Sequence, residues 1–428
     1  MKPLDRPRSF SRRSIFKGAA AATLAVGAGT SVVSDSASAN DQDPALTKVT
    51  EAVQPFRIAV PASALADLNR RLEQTRWPEQ ETAPDWSQGS RLSKMRELVN
   101  YWRTRYDWRR AEQELNQWPQ FRTRLDGLGI HFIHVKSKHS GAMPLLLTHG
   151  WPGSVIEFLK TVGPLTDPTR FGGKASDAFD VVIPSLPGFG FSDRPTEPGW
   201  DLTHTAKAWG ELMNRLGYTR WVAQGGDWGG GVTIELGQQQ PKGLAGVHLN
   251  FALVFPETIP ASGMSPEESA AAKAFMSWVN DGSGYARIMA TRPQTIGYGL
   301  ADSPVAQASW IYEKFQAWSD NSGSPETALT FDEMLDNISL YWFTNTGASS
   351  GRYYRENITR TFSAGPIDIP VGVSVFPREI FRAPKSWVQQ NYKNLIYWNE
   401  LEKGGHFAAF EEPELFVGEM RACFAKLR

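Results

Sequence analysis

Three short apolar runs that each end in a glycine-rich turn constrain the fold more than any other feature of the sequence. The runs cover 144–148, 179–183 and 221–224, and the turns after them read HGWPG, PSLPGFG and GGDWGG. Helix-like segments separate the runs, and alternation of buried strands with helices is typical of a parallel sheet covered by helices. The pattern predicts an α/β fold with a mostly parallel, doubly wound sheet. Ligands of such sheets bind at the carboxyl ends of the strands, where these turns lie.

Further segments complete the predicted sheet. Alternating residues at 122–126 and 130–135 predict an antiparallel hairpin around Asp126 and Gly127. About 120 mostly helix-like residues lie between two later core strands, and an insertion of that length is expected to form a lid. The later core strands are predicted at 245–249, 371–375 and 395–398.

The segment before the hairpin is predicted to be helical. Apolar residues recur at helical spacing from Leu65 to Leu72 and again from Leu92 to Tyr106. The segment is too small to form a large core of its own, so we expect it to pack onto another part of the molecule. The predicted organisation is a signal peptide at 1–39, a helical N-terminal domain at 40–121, a core in two parts at 122–255 and 367–428, and a lid at 256–366.

The N-terminus has the three parts of a bacterial export signal. Segment 11–17 reads SRRSIFK and resembles the twin-arginine motif SRRxFLK, with Ile15 instead of Phe at the fifth position. An apolar run at 18–33 and an A-x-A cleavage pattern at 37–39 follow. The run is too short and too rich in Gly and Ala for a transmembrane helix. We therefore predict export by the twin-arginine machinery to the periplasm or the exterior, without a stable membrane anchor once the signal is removed.

The overall charge combines two different parts of the chain. The whole sequence has 45 Lys+Arg and 45 Asp+Glu. Residues 1–39 hold six bases and two acids, so residues 40–428 hold 39 bases and 43 acids, a net charge of −4. This balance argues against a nucleic-acid partner. A single cysteine, Cys423, excludes an intramolecular disulfide and a thiolate metal cluster, and we expect neither a metal nor a cofactor.

The turn at 225–229 suggests the reaction class. It has the form G-x-nucleophile-x-G of a strained strand-to-helix elbow, with Asp227 at the centre instead of Ser. An attacking Asp forms an ester with a saturated carbon, and a second step can hydrolyse that ester at the enzyme's own carbonyl. Asp227 is therefore a candidate nucleophile for an epoxide or a haloalkane. The alternative is an Asp that only caps the following helix.

Three other turns supply candidate partners for Asp227. The backbone N–H groups of Trp151 and Trp228 are candidate oxyanion donors. His406, in a glycine-rich turn after the last predicted strand, is the candidate base. Glu379 follows the preceding strand and is the candidate acid that orients the histidine. A literal G-x-S-x-G at 347–351 offers Ser349 as a rival nucleophile, but it lies inside the lid.

These motifs resemble the microsomal and juvenile hormone type of epoxide hydrolases within the α/β-hydrolase fold. The resemblance extends from about residue 54 to the C-terminus and includes the turns HGWPGS, GDWG and GHFAAFEEPE. It implies that Tyr285 and Tyr354 of the lid donate protons to the epoxide oxygen, with Tyr353 as an adjacent competitor of Tyr354. It also implies a small-molecule epoxide substrate, a vicinal diol product, no cofactor and a role in aromatic hydrocarbon detoxification.

Several alternatives stay open at this point. A haloalkane dehalogenase would use the same Asp and His, but it needs halide-binding N–H donors instead of phenols. A serine esterase would use Ser349, and a non-catalytic relative would keep the fold without the activity. The sequence leaves the oligomeric state open, with a homodimer as one option.

Overall fold

The fold is described from a computed structural model. It describes residues 10–11, 49–256, 258–259, 262–358 and 365–428. The predicted signal peptide therefore lies outside the described residues, except for Phe10–Ser11, which pairs antiparallel with Thr258–Ile259.

In the part of the chain that the structure describes, one sheet of nine strands forms the centre. Its spatial order is β9-β8-β7-β6-β4-β5-β3-β2-β1. All pairings among β4 to β9 are parallel, whereas β1, β2 and β3 join antiparallel at one edge. In chain order the strands are β1 Gln54–Phe56, β2 Gln120–Leu125, β3 Leu128–Val135, β4 Met143–Thr148, β5 Phe179–Pro184, β6 Trp221–Gly225, β7 Leu244–Leu249, β8 Val371–Val375 and β9 Leu395–Glu400.

Helices connect the strands of the sheet, with α1 to α3 between β1 and β2, and fill the insertion between β7 and β8. Among the described residues of that insertion there are six helices, α7 to α12. The helices are α1 Ala62–Glu73, α2 Leu92–Thr104, α3 Trp108–Asn116, α4 Leu159–Thr166, α5 Leu202–Arg215, α6 Asp227–Gln239, α7 Pro266–Ser277, α8 Gly284–Thr291, α9 Pro293–Asp302, α10 Pro304–Trp318, α11 Phe331–Thr344, α12 Gly347–Glu356, α13 Lys385–Asn391, α14 Ala408–Glu411 and α15 Pro413–Phe424.

The structure confirms the predicted mostly parallel sheet and the hairpin at its edge. Asp126 and Gly127 join β2 to β3 with φ angles of 48° and 85°, as a two-residue turn with two positive φ values requires. Strand β1 was not predicted, because three residues are too few to show an alternating pattern. Helix α6 begins directly at Asp227, and the glycines that weaken the helical signal after Asp227 belong to the helix.

The N-terminal helices pack against the lid, which supplies the partner that their small size requires. Helix α2 buries one apolar face, including Leu98 and Trp102. The indole Nε1 of Trp102 donates to Oγ of Ser339 in α11 at 3.1 Å, and Arg110 of α3 pairs with the largely buried Asp336 of the same lid helix at 2.5 Å. These contacts fix one side of the lid.

Within the described part of the chain, none of the helices is sufficiently long and apolar to cross a membrane.

Candidate active site

Asp227 lies at a sharp turn between β6 and α6. Its φ angle is 48°, in the left-handed region that residues other than Gly seldom occupy. A Cβ at Gly225 would lie 2.1 Å from the carbonyl oxygen of Gly229, and one at Gly229 would lie 1.9 Å from the carbonyl oxygen of Thr148. The turn therefore needs glycine at both positions, and it places the Asp227 side chain at the carboxyl end of the sheet.

The glycine-rich turn after β4 meets Asp227 on one side. The backbone N–H of Trp151 donates to Oδ1 of Asp227 at 2.8 Å. A Cβ at Gly150 would lie 2.2 Å from the same oxygen, so the two turns can approach only because residue 150 has no side chain. Trp228, the other candidate oxyanion donor, is the second residue of α6, where the helix dipole favours negative charge.

His406 contacts Asp227 on another side. Its Nε2 lies 3.5 Å from Oδ2 of Asp227, and its Nδ1 donates to Oε1 of Glu379 at 2.6 Å. The side chains of His406 and Glu379 are 3% and 1% exposed. The backbone N–H of His406 donates to the carbonyl oxygen of Trp318 at the end of α10. The structure thus brings the three predicted core residues into one Asp-His-Glu chain of contacts.

The charges of two carboxylates decide the protonation state of His406. Burial by itself lowers the pKa of this imidazole, but the charges and hydrogen bonds of Glu379 and Asp227 outweigh burial and raise the pKa well above its ordinary value. At neutral pH the imidazole is therefore protonated. Neutralising Asp227 would remove part of this stabilisation.

The two predicted lid tyrosines lie beside the oxyanion turn. The Tyr285 ring stacks on Trp151 with centroids 5.0 Å apart and planes 12° apart. Tyr354 meets Trp151 edge-on at 5.8 Å and Trp228 edge-on at 4.7 Å. The two phenol rings are themselves 5.8 Å apart. Helices α8 and α12 thus bring both phenols to the turns that hold Asp227.

Both phenols stay protonated over a wide pH range. Burial raises the pKa of Tyr285, and the charge of Asp227 raises it further. Burial also raises the pKa of Tyr354 well above its ordinary value, with Tyr285 and Asp227 contributing in the same direction. Two neutral O–H donors beside a carboxylate can stabilise an oxygen that gains negative charge.

Tyr353 and Ser349 have other partners. The hydroxyl of Tyr353 donates to Oγ1 of Thr205 in α5 at 3.0 Å, so Tyr354 is the better placed of the adjacent tyrosines. Ser349 lies inside helix α12, not at a strand end, and its Oγ donates to the carbonyl oxygen of Gly188 at 2.5 Å. The literal G-x-S-x-G match therefore lacks the geometry of a nucleophile elbow.

Sequence reasoning missed Glu157, which lies in a 3-10 turn after the oxyanion turn. Glu157 lines a small cavity together with Asp227 and His406. Burial raises its pKa to about 8, the charge of His406 lowers it, and that of Asp227 raises it. The available signal was an acidic residue within the otherwise apolar segment 155–158.

Comparisons with known proteins agree with this geometry. Residues 53–158 match the family described as "Epoxide hydrolase N terminus", and residues 143–282 match "alpha/beta hydrolase fold". The chain is 66% identical to a protein of Stigmatella aurantiaca named "Putative epoxide hydrolase", over 88% of this chain and 86% of that protein. It is 36% identical to "Epoxide hydrolase 1" of Sus scrofa, over 87% of this chain and 88% of the relative.

A solved structure has the same architecture. The juvenile hormone epoxide hydrolase of the silkworm Bombyx mori superposes with a TM-score of 0.81 at 30% identity, covering 89% of this chain and 96% of the silkworm chain. Similarity over nearly the whole length includes the N-terminal helices, the core and the lid. The chain therefore belongs to the microsomal and juvenile hormone type of epoxide hydrolases, which have the α/β-hydrolase fold.

Proposed function

We propose that this protein hydrolyses epoxides to vicinal diols through an ester on Asp227. The observation that carries the proposal is the position of this carboxylate. Its Oδ1 accepts from the Trp151 amide and its Oδ2 lies 3.5 Å from His406, while two buried phenols lie at the same turns. A carboxylate nucleophile, a base and two acids suit ring opening followed by ester hydrolysis.

The first step forms the ester. Tyr285 and Tyr354 donate hydrogen bonds to the epoxide oxygen, and an oxygen of Asp227 attacks one ring carbon. The C–O bond of the ring breaks as the new C–O bond forms, and a phenol proton neutralises the leaving alkoxide. The raised pKa values of both phenols keep them protonated, so each can donate.

The second step returns the free enzyme. Esterification removes the charge of Asp227, which lowers the pKa of His406. The imidazolium then gives its proton to the phenolate left by ring opening and becomes a neutral base. His406 then takes a proton from water, whose oxygen attacks the ester carbonyl carbon. The N–H groups of Trp151 and Trp228 stabilise the oxyanion, and Glu379 holds the imidazole in place. Collapse of the intermediate releases the diol.

The surroundings of Asp227 favour aryl or bulky alkyl epoxides. Trp151, Trp318, Tyr285 and Tyr354 form a connected group of rings beside the nucleophile. Aromatic surfaces recognise apolar substrates by area and by edge or face contacts. This composition supports a role in the detoxification of epoxides derived from aromatic hydrocarbons.

The direct experiment is turnover of a panel of aryl and alkyl epoxides by purified protein. We expect diol formation that the Asp227→Ala substitution abolishes while the fold, measured by circular dichroism, stays intact. Chloroalkanes and bromoalkanes serve as the comparison, because a dehalogenase would release halide from them. Absence of diol formation by folded protein, or preferential release of halide, would contradict the proposal.

We also infer that the enzyme is exported by the twin-arginine machinery and acts outside the cytoplasm without a membrane anchor. The paired arginines, the apolar run and the A-x-A pattern at 37–39 support this location. Replacing Arg12 and Arg13 by Lys should retain the full-length protein in the cytoplasm of a host that has the twin-arginine machinery. Undiminished appearance of shortened protein outside the cytoplasm would contradict this route.

A further inference from the structure

We propose that Glu157 positions the water that hydrolyses the ester on Asp227. The inference rests on the proposed function and adds a residue to its second step. Glu157 is not a member of the Asp-His-Glu chain; it is half-buried and lines a cavity beside that chain. Its place in a small cavity is the observation that points to a bound reactant.

The cavity has the size of one water molecule. Its volume is about 20 Å³, and a site needs about 10–15 Å³ to hold one water. Asp227, His406, Glu157 and Asn250 contribute polar groups to its lining, and Phe158 and Phe416 contribute apolar surface. A buried water needs two to four polar partners. Asp227, whose ester the water would attack, and His406, which would take its proton, both line the cavity.

The cavity lies on the core side of the nucleophile. The residues that line it lie between Thr148 and Asn250, ahead of the lid, or between His406 and Phe416, after β9. The two phenols, in contrast, come from α8 and α12 of the lid. Substrate and water can therefore reach Asp227 from different sides, so the hydrolytic water need not compete with the epoxide for one space.

The oxyanion turn leaves room for the carboxyl group of Glu157. A Cβ at Gly153 would lie 1.2 Å from Oε1 of Glu157, which is far inside any van der Waals contact. Gly153 is therefore required for the carboxyl group to occupy its observed position. The turn that supplies the Trp151 amide thus also sets the position of the Glu157 carboxyl group. One turn therefore shapes both the oxyanion site and the cavity.

A neutral carboxyl group suits this position. Asp227 and Glu379 already share the site with one imidazolium, that of His406. Burial disfavours a further negative charge there and raises the pKa of Glu157 to about 8. A protonated carboxyl group has one donor and remaining acceptor capacity. It can hold one hydrogen of a water while the other hydrogen points to Nε2 of His406, which leaves an oxygen lone pair for attack.

Ester hydrolysis involves the water, Asp227, His406 and Glu157. The water oxygen bonds to Cγ of Asp227, and one water proton moves to Nε2 of His406. The bond from Cγ to the substrate oxygen then breaks, and the alkoxide leaves with a proton returned by His406. Asp227 is regenerated with one oxygen from water, the second water proton moves from its carboxyl group to His406 and restores the starting imidazolium, and Glu157 is unchanged at the end.

The test separates ester formation from ester hydrolysis with styrene oxide. Rapid quenching followed by mass spectrometry of the peptide that carries Asp227 measures both steps. We expect Glu157→Leu to form the ester at the wild-type rate but to hydrolyse it about 10²-fold more slowly. Glu157→Gln keeps one donor and one acceptor, so it should restore hydrolysis to within about tenfold of wild type.

Two further variants control for folding. Gly153→Ala leaves Glu157 in the chain but displaces its carboxyl group, so it should also slow hydrolysis selectively. Glu419→Leu removes a buried glutamate, which accepts from Ser374 and Asn399 in a different part of the core. This control should lower the unfolding temperature without changing the ratio of the two rates.

The outcomes are distinguishable. Equal slowing of both steps in Glu157→Leu, or ester hydrolysis at the wild-type rate in both Glu157→Leu and Gly153→Ala, would overturn the role of Glu157 while leaving the proposed function in place. Failure of wild-type protein to form any ester on Asp227 would overturn the proposed function itself. Selective slowing of hydrolysis with recovery in Glu157→Gln supports the inference.

Discussion

The core and the lid hold their parts of the active site by different interactions. In the core, Asp227, His406 and Glu379 are held by short polar contacts, with the Nδ1 to Oε1 distance of 2.6 Å as the tightest. In the lid, Tyr285 and Tyr354 pack among aromatic rings, and a hydrogen bond between their hydroxyls adds to these contacts. Hydrogen bonds fix direction and protonation state, whereas ring contacts fix shape and exclude water.

This difference assigns distinct steps to the two regions. The covalent chemistry requires fixed directions and controlled proton positions, and these come from the core. Activation of the leaving oxygen and recognition of apolar substrate surface come from the lid. Substitutions in the core should therefore interrupt turnover at a defined intermediate, whereas substitutions in the lid should slow the formation of that intermediate.

The strongest test on the core side is His406→Gln. Without a base, water attack on the ester should slow by about 10³-fold or more, while Asp227 still attacks the epoxide. The ester should then accumulate to about one per protein molecule, measured as an added mass on the peptide that carries Asp227. Loss of ester formation together with hydrolysis would show that His406 is needed before the ester exists.

On the lid side, the sharpest change is Tyr285→Phe or Tyr354→Phe. Each variant loses one proton donor but keeps its ring, so ester formation should slow by about 10²-fold while ester hydrolysis is unchanged. The double variant should be slower than either single one. Pre-steady-state quenching with an epoxide measures the two steps. Unchanged ester formation in both single variants would show that neither phenol takes part in ring opening.

The two regions should also differ in their pH dependence. The pKa of His406 is raised mainly by carboxylate charges, so part of the rise disappears in the ester. Because the neutral imidazole is the base, ester hydrolysis should increase with pH by up to about tenfold per unit until His406 is deprotonated. The phenol pKa values lie above their ordinary value, so ester formation should not decline as the pH approaches about 10.

Quench measurements of ester hydrolysis between about pH 6 and pH 8, below the pKa of about 8 of Glu157, and of ester formation up to about pH 10 test this difference. The contrary result is an ester hydrolysis rate that stays constant or falls with pH across this interval.

The smallest effect is expected for Tyr353→Phe. The hydroxyl of Tyr353 donates to Thr205 in the core, so its loss removes one internal hydrogen bond, worth about 1 kcal/mol of folding free energy. Turnover should change by less than about threefold, because no proton donor to the epoxide is lost. Thermal unfolding and steady-state kinetics measure the two effects, and a loss as large as that of Tyr354→Phe would move the donor role to Tyr353.

The same comparison explains how much could be predicted from the sequence. Strands β4 to β9 and the groups of the core were predictable because each candidate residue follows a strand, and parallel strand ends meet at one edge. Tyr285 and Tyr354 lie in an insertion whose helix packing is not encoded in local spacing, so only resemblance to a family indicated them. Glu157 could not be identified, because the cavity around it is formed by turns that are distant in the chain.

The central claim is that Asp227, not water, attacks the epoxide, and a single turnover in ¹⁸O-labelled water tests it most directly. With protein in excess over epoxide, the first diol should contain no label, because its new oxygen comes from the Asp227 carboxylate. The label should instead appear in the peptide that carries Asp227, since water attacks the ester carbonyl carbon. Label in the first diol together with an unlabelled Asp227 peptide would contradict the account.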